Sequence, residues 1–264
     1  MRLRIEHITH YSYSQPVQHA IQALCLTPRT SMHQTVHEWQ LTVPGRLFAS
    51  SDGFGNATHT WTLGRQGLKG LVRAAGVVDT HACPDLLDDE RTASPLVYLR
   101  PTPLVASHQR LAAFAARHLE AGVNMASLLE LAQGVLRQVR YRAGHTDVET
   151  TAQEAFDAGS GVCQDQAHVF IAACRSQGVP ARYVSGYLHD ADAPEPTSHA
   201  WADVCIDMAR RRWLSIDVTH ACLMDERHVR LALGPDYTAC APVRGVRHGG
   251  GDEVMDVDVR ITPV

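Results

Sequence analysis

The sequence contains no apolar run long enough to cross a bilayer, and residues 1–7 lack the apolar segment of a secretory signal peptide. Its net charge of −4 provides no positive surplus that would attract nucleic acid or an anionic membrane. Neither an internal repeat nor a low-complexity segment is present. We therefore expect a cytoplasmic protein with no nucleic-acid or membrane partner. Of the 264 residues, 45% are hydrophobic and 20% are charged, so the chain can bury a sizeable core.

Cysteine pairs with metal-binding or redox spacing are absent as well. None of the seven cysteines belongs to a C-x-x-C motif, which excludes a zinc knuckle and a thioredoxin-like site. In a reducing compartment we expect most of them to be free thiols in apolar surroundings. Among the sixteen histidines, His33 and His37 have the helical spacing of metal ligands. Their segment alternates like a strand, however, which favours scattered surface histidines, and we predict no metal and no cofactor.

The first eighty residues consist of short alternating segments separated by Gly, Pro and Asn turns. This pattern predicts a β-sandwich over residues 1–85. The composition then changes to Asp, Glu, Pro, Thr and Ser, which is typical of a linker or a wrapping segment, and we place it at 86–106. The strands are predicted at 3–13, 18–26, 36–43, 47–49, 58–62 and 68–78.

Residues 107–264 are predicted to form a second domain. Apolar spacing indicates helices at 107–119 and 125–139, and Thr151 with Glu154 fits a capping box for a third, short helix. Strands at 181–188, 198–206 and 212–217 follow a further helix, and the prolines at 194–197 indicate an exposed loop. The fold class is therefore α+β.

The stretch 159–170 carries the strongest chemical indication. Two glycines precede Cys163, which opens a helix whose apolar positions recur at three- and four-residue steps. A cysteine in the first helical turn faces unpaired backbone N–H groups and the positive end of the helix dipole, and both favour the thiolate. The alternative is a small buried hydrophobic residue, which most free cysteines are.

Two downstream residues supply what a nucleophilic thiol needs. His199 begins one strand and Asp217 ends the next, so the carboxylate is placed to orient the imidazole beside the helix start. The sequence thus predicts a Cys163–His199–Asp217 triad, although each of the two residues taken singly also fits a structural role. The backbone N–H of Cys163 is the natural first oxyanion donor.

The second oxyanion donor is left open among three side chains, those of Gln153, Gln164 and Trp201. Asp165 is a fourth supporting residue. Its position two residues after the cysteine favours a bond to free N–H groups at the helix start over a role as catalytic acid. We expect His168 to be structural and His220 to support Asp217.

These residues resemble the bacterial transglutaminase-like cysteine proteins of the papain-like superfamily. The N-terminal strands and the glycine-rich tail also match this pattern, so the resemblance spans nearly the whole chain. One departure follows Asp217, where the family usually has Pro-Thr-Asn and this chain has Val-Thr-His. The matching motifs are 161–168 (GVCQDQAH), 174–187 (CRSQGVPARYVSGY) and 198–202 (SHAWA).

The resemblance implies an N-terminal β-domain and a papain-like transglutaminase core, with Cys163 as nucleophile, His199 as base and Asp217 as orienting acid. It implies a thiol-dependent hydrolase that acts on a peptide or a small amide through a thioester. The alternatives are an acyltransferase that passes the acyl group to an amine and a non-catalytic peptide-binding protein. A histidine-based metal hydrolase, which predicts bound zinc, is a further alternative.

Overall fold

The computed structural model describes residues 1–64, 68–88, 92–191 and 198–264. Its α-helices are α1 (Gln109–Leu119), α2 (Met125–Gln138), α3 (Ala152–Ala158), α4 (Cys163–Ser176) and α5 (Tyr237–Cys240), and a 3-10 helix spans Pro95–Leu99. Its strands are β1 (Arg2–Tyr13), β2 (Val17–Thr27), β3 (Gln34–Thr42), β4 (Arg46–Ser51), β5 (Ala57–Leu63), β6 (Lys69–Thr80), β7 (Asp85–Leu87), β8 (Arg140–Tyr141), β9 (Ser160–Gly161), β10 (Ala181–Leu188), β11 (Ser198–Asp207), β12 (Arg212–Asp217), β13 (Cys222–Leu223), β14 (His228–Gly234), β15 (Val243–Gly249) and β16 (Glu253–Pro263).

The N-terminal region is a sandwich of two antiparallel sheets, with strand orders β16-β1-β6-β3 and β15-β2-β5-β4. Alternate residues of β1 point into the sandwich, as the period of two requires, and Leu3 and Ile5 are fully buried. Trp61 of β5 is the largest side chain in the same core. The six strands predicted in this region all form.

The two last strands of the chain belong to the sandwich. β16 pairs with β1, and β15 pairs with β2, along nearly their whole lengths. The predicted boundary assigns both strands to the domain at 107–264. In the structure, both strands pair with strands of the N-terminal sandwich. The tail has alternating apolar residues, but a strand does not reveal in its own sequence which sheet it will join.

The second sheet has the strand order β13-β12-β11-β10-β14, and β7 adds to the other side of β12. Helix α4 lies between this sheet and the helices α1, α2 and α3. Every α4 residue from Asp165 to Arg175 is buried, as expected for a helix enclosed on all sides. None of the helices in the described ranges has the length and hydropathy needed to span a membrane.

The segment 86–106 is a wrapping segment wherever the structure describes it. Leu86 pairs with Trp213 of β12, and Tyr98 of the 3-10 helix is fully buried. Leu104 accepts a backbone hydrogen bond from Ala152 at the start of α3. Residues 89–91 lie outside the described residues, as does the exposed loop predicted at 194–197.

A buried ion network lies on the face of the second sheet opposite α4. Arg182 is 1% exposed, donates to Asp203 at 2.8 Å and lies 4.0 Å from the centre of the Trp213 ring. Arg230 donates to the same carboxylate. Burial alone would raise the pKa of Asp203, but the two guanidinium groups hold it below its ordinary value. Removing one partner of such a group is strongly destabilising, because the remaining charge is left buried and unpaired.

Candidate active site

The backbone before α4 places Cys163 at the first position of the helix. Gly159 ends α3 in the left-handed conformation, with a φ of 69°, which favours glycine. The carboxylate of Asp165 accepts hydrogen bonds from the Val162 N–H and the Thr146 hydroxyl, both at 2.7 Å. Asp165 therefore binds a backbone N–H at the helix start, where the sequence analysis expects it, and burial raises the pKa of its carboxyl group.

His199 lies at the start of β11, where its ring bridges the cysteine and the aspartate. Its Nε2 lies 2.8 Å from Oδ2 of Asp217, and Cys163 lies close enough to the same ring to affect its pKa. The side chain is 8% exposed. Burial lowers the pKa of His199, but the bonds to Asp217 and Cys163 outweigh this effect and raise it to about 10. The structure thus brings the three predicted catalytic residues together.

Asp217 is fully buried and is shared by three histidines. Its Oδ2 lies 2.8 Å from Nε2 of His199, 2.7 Å from Nδ1 of His220 and 3.1 Å from Nε2 of His228. Burial alone would raise the pKa of Asp217, but these histidines hold it well below its usual range. The supporting role expected of His220 is confirmed.

His228 is a buried member of the site that sequence reasoning missed. It begins β14 and is fully buried between two carboxylates. Its Nε2 faces Asp217, and its Nδ1 lies 3.0 Å from Oδ1 of Asp225. Burial lowers the pKa of His228, but the two aspartates outweigh this effect and raise it. Its position eleven residues after Asp217 offers no local pattern that would have identified it.

The side chains predicted as second oxyanion donors are bonded elsewhere. The Trp201 indole N–H donates to Ser215 at 3.0 Å, and its fully buried ring stacks beside His199. The Gln153 amide donates to Asp157 in its own helix, and that of Gln164 donates to the Val148 carbonyl at 3.3 Å. The Trp201 ring therefore packs beside His199, and the second oxyanion donor stays a prediction.

Tyr141 is a further residue at the site that the sequence did not single out. Strand β8 pairs in parallel with β9, which places Tyr141 opposite Gly161 and close to Cys163. Burial and the negative charge of a Cys163 thiolate both raise the pKa of Tyr141. Its side chain is nevertheless 54% exposed, so it lies at the surface beside the start of α4.

The remaining histidine predictions separate into two outcomes. His168 is fully buried, accepts from the Tyr237 N–H, and has its pKa lowered by burial to about 4, which confirms a structural role. His33 is also fully buried, so the expectation of a surface position is wrong for it. Its Nε2 donates to the His228 carbonyl, whereas His37 bonds to Asp79 on the surface. These two histidines therefore form no metal site.

Within the described ranges, one group of side chains has the donor types and spacing of a metal site. Its members are His199, Asp217 and His228, whose ligand atoms lie within 4.8 Å of one another. Both Nε2 atoms lie at hydrogen-bond distance from a single carboxylate oxygen. We interpret this arrangement as two N–H donors on one acceptor, because that arrangement satisfies all three buried groups.

A separate cavity lies between the sandwich and the second sheet. It is lined by Arg29, Phe54, Arg182 and Arg230, among others, and by no member of the triad. Two of these guanidinium groups are already paired with Asp203. This cavity is therefore distinct from the cluster of predicted catalytic residues at the start of α4.

Comparisons with known proteins agree with this architecture. Residues 113–218 match the transglutaminase-like superfamily, and residues 3–79 match the bacterial transglutaminase-like N-terminal region. Over 99% of its length the chain is 30% identical to an uncharacterized protein of Mycobacterium leprae, of which it covers 98%. It has the same identity to an uncharacterized protein of Mycobacterium tuberculosis (strain H37Rv), of which it covers 93%.

The chain belongs to the transglutaminase-like superfamily and carries the bacterial N-terminal region of that family. Among solved structures, it is similar to "The Crystal Structure of a Putative Cysteine Protease from Cytophaga hutchinsonii", with a TM-score of 0.80 and 21% identity. That likeness covers 99% of this chain and 90% of the other. It shows the fold, and the α+β class predicted from the sequence is confirmed.

Proposed function

We propose that this protein is a thiol-dependent hydrolase that cleaves amide or peptide bonds through a thioester on Cys163. One observation carries the proposal. The thiol at the start of α4 lies close enough to the His199 ring to raise its pKa, and Nε2 of that ring lies 2.8 Å from a buried aspartate. A nucleophile, a base and a group that orients the base are the parts that covalent acyl transfer requires.

In the proposed reaction, the Cys163 thiolate attacks the substrate carbonyl and a sulfur–carbon bond forms. The first-turn N–H of Cys163 has no acceptor within its helix and faces the developing oxyanion. The carbon–nitrogen bond then breaks, and the His199 imidazolium gives its proton to the leaving amine. Water, deprotonated by the neutral ring, attacks the thioester and releases the acid and the thiol. Asp217 holds the ring in orientation throughout.

Iodoacetamide labelling followed by mass spectrometry tests the activated thiol. Two other cysteines, Cys83 and Cys222, are also partly exposed and serve as internal references. Burial raises the pKa of Cys222 to about 11, so this thiol reacts slowly at neutral pH. We expect Cys163 to label at least tenfold faster than both references, and His199→Ala to remove this difference. Equal rates in the parent protein would contradict the proposal.

Turnover then separates the hydrolase from its alternatives. Dipeptide amides and isopeptides are incubated with the parent protein and with Cys163→Ser. Release of the free acid by the parent alone supports the hydrolase, whereas an acylated amine as the main product would indicate an acyltransferase. Binding of the peptide without turnover would indicate a peptide-binding protein. Stoichiometric zinc in the purified protein, with activity lost on chelation, would indicate the metal hydrolase instead.

A further inference from the structure

Strand β14 is an edge strand of the second sheet, and its outer edge is covered by side chains of the N-terminal sandwich. An edge strand leaves a row of backbone N–H and C=O groups without sheet partners. Here the Gln34 side chain accepts from the Arg230 N–H at 2.8 Å and donates to the Arg230 carbonyl at 2.9 Å. Asn56 makes the same pair of bonds with Leu233, at 2.8 and 2.7 Å. The two amide side chains thus replace a neighbouring strand.

The same coverage extends to the end of β14 that enters the active site. Buried His33 donates from Nε2 to the carbonyl of His228 at 2.7 Å. Burial lowers the pKa of His33 to about 4, so the ring is neutral and this N–H has one fixed acceptor. The hydroxyl of Thr80 donates to the carbonyl of Glu226, just before the strand. The sandwich therefore fixes the backbone of His228 from outside the sheet.

The imidazole ring of His228 is fixed by contacts on both of its nitrogens and by a neighbouring aromatic ring. Asp225 and Asp217 lie at its two nitrogens, and the Trp201 ring packs against it edge-on at 5.3 Å between ring centres. His220 differs, because its side chain is 37% exposed while that of His228 is fully buried. Of the two additional donors to Asp217, His228 is thus the one with a fixed position.

We propose that His228 is a positioning residue, which holds the Asp217 carboxylate in place for its bond to His199. The sandwich in turn fixes His228 through His33 and Gln34. The N-terminal domain is thereby a structural part of the catalytic centre. This inference rests on the proposed function where it concerns catalysis, but the geometry it describes is measurable without turnover.

Two substitutions of His228 test the ring. In His228→Leu the donor to Asp217 is lost, and we expect iodoacetamide to label Cys163 about 10- to 100-fold more slowly, because a small misplacement of a catalytic group has an effect of this size. His228→Gln keeps an N–H donor of similar reach, and we expect it to restore part of the rate. If His228 were only structural, the labelling rates of the two variants would change in proportion to their losses of thermal stability.

A matched pair tests the domain contact. Gln34→Ala and Asn56→Ala each remove two hydrogen bonds to β14 and one within the sandwich. They should therefore destabilise the protein to a similar extent. Only Gln34 is close to His228 along the strand, so we expect Gln34→Ala to slow labelling measurably, though by less than His228→Leu does. Asn56→Ala should stay within twofold of the parent.

The second readout is the NMR signal of the His199 Nε2 proton, identified by its loss in His199→Gln. We expect this signal to weaken or shift in His228→Leu and Gln34→Ala but not in Asn56→Ala. Parental labelling rates and an unchanged signal in folded His228→Leu would overturn the inference, as would equal effects of the matched pair. If the parent shows no fast-labelling thiol while the signal still depends on His228, the proposed function fails and the positioning role stands.

Discussion

Replacement of Asp217 by asparagine tests the electrostatics of the site, because it removes one negative charge at nearly constant size. In the parent protein the pKa of His199 rises from 6.5 to about 10, although burial works against the imidazolium. That rise corresponds to roughly 5 kcal/mol in favour of the charged ring. The hydrogen-bonded partners responsible are Asp217 and Cys163. Because burial opposes the rise, the two partners together supply more than this net amount, and Asp217→Asn removes part of it.

We therefore expect Asp217→Asn to lower the pKa of His199, and the alkaline limit of fast iodoacetamide labelling of Cys163 should move down by about one pH unit for each 1.4 kcal/mol removed. The His199 ring is charged only below its pKa. A lower pKa therefore reduces the highest pH at which labelling is fast. In the parent, the interactions of the charged His199 ring with its partners stabilise the folded protein. This stabilisation is fully present below pH 6.5 and is lost as the pH rises toward about 10. The variant should lack most of this pH dependence.

The assay measures the labelling rate between pH 5 and pH 10, together with thermal stability at the same values. Asp236→Asn is the matched control, because Asp236 is also a buried carboxylate but caps α5 through the Thr238 N–H. Asparagine is an equally good cap, so this variant should keep the labelling rate and its pH dependence. A folded Asp217→Asn protein whose labelling rate falls off at the same alkaline pH as that of the parent would refute the reasoning.

Two further substitutions test the supporting structure. A Cβ on Gly161 would lie 2.6 Å from Oδ2 of Asp165, so Gly161→Ala should cost about 1–3 kcal/mol and lower the melting temperature by roughly 2–4 °C per kcal/mol. An unchanged melting temperature would contradict that close approach. Trp201→Phe removes the buried bond to Ser215 and leaves a cavity, so urea unfolding should show a loss of about 2–3 kcal/mol. A loss below about 0.5 kcal/mol would show that the bond is not needed.

The parts of the site that the sequence predicts are those with local patterns. Cys163 follows two glycines at a helix start, and Asp165 follows at capping distance, so short-range rules place both. His199 and Asp217 lie on successive strands joined by a hairpin, and antiparallel pairing brings their ends together. His199 and Asp217 therefore meet through strand pairing, whereas their approach to Cys163 also depends on the packing of α4 against β11.

The parts that it does not predict depend on long-range packing. His33 and His228 are 195 residues apart and meet because an edge strand of one domain packs on the other. No periodicity encodes such a contact. Trp201 was a candidate oxyanion donor because its N–H is chemically suitable. The direction of the Trp201 side chain is set by the alternation of side chains along β11. This alternation places the indole N–H at Ser215 of the neighbouring strand.

The shared sandwich also decides which fragments of the chain can fold. A fragment of residues 107–264, which sequence boundaries suggest as the catalytic domain, would leave β15 and β16 without their partners β2 and β1. It would also remove the His33, Gln34 and Asn56 bonds to β14, and buried groups without partners cost about 1–3 kcal/mol each.

We therefore expect this fragment to be unfolded or aggregated by circular dichroism and gel filtration, whereas the full chain shows a cooperative transition. A fragment of residues 107–240 lacks strands β15 and β16. It therefore distinguishes the effect of unpaired strands from the effect of losing the side-chain bonds to β14. If this shorter fragment folds and its Cys163 labels as fast as in the full chain, the coverage of β14 is dispensable. If it folds but labels slowly, the loss lies in the position of His228, since the triad itself is still encoded within the fragment.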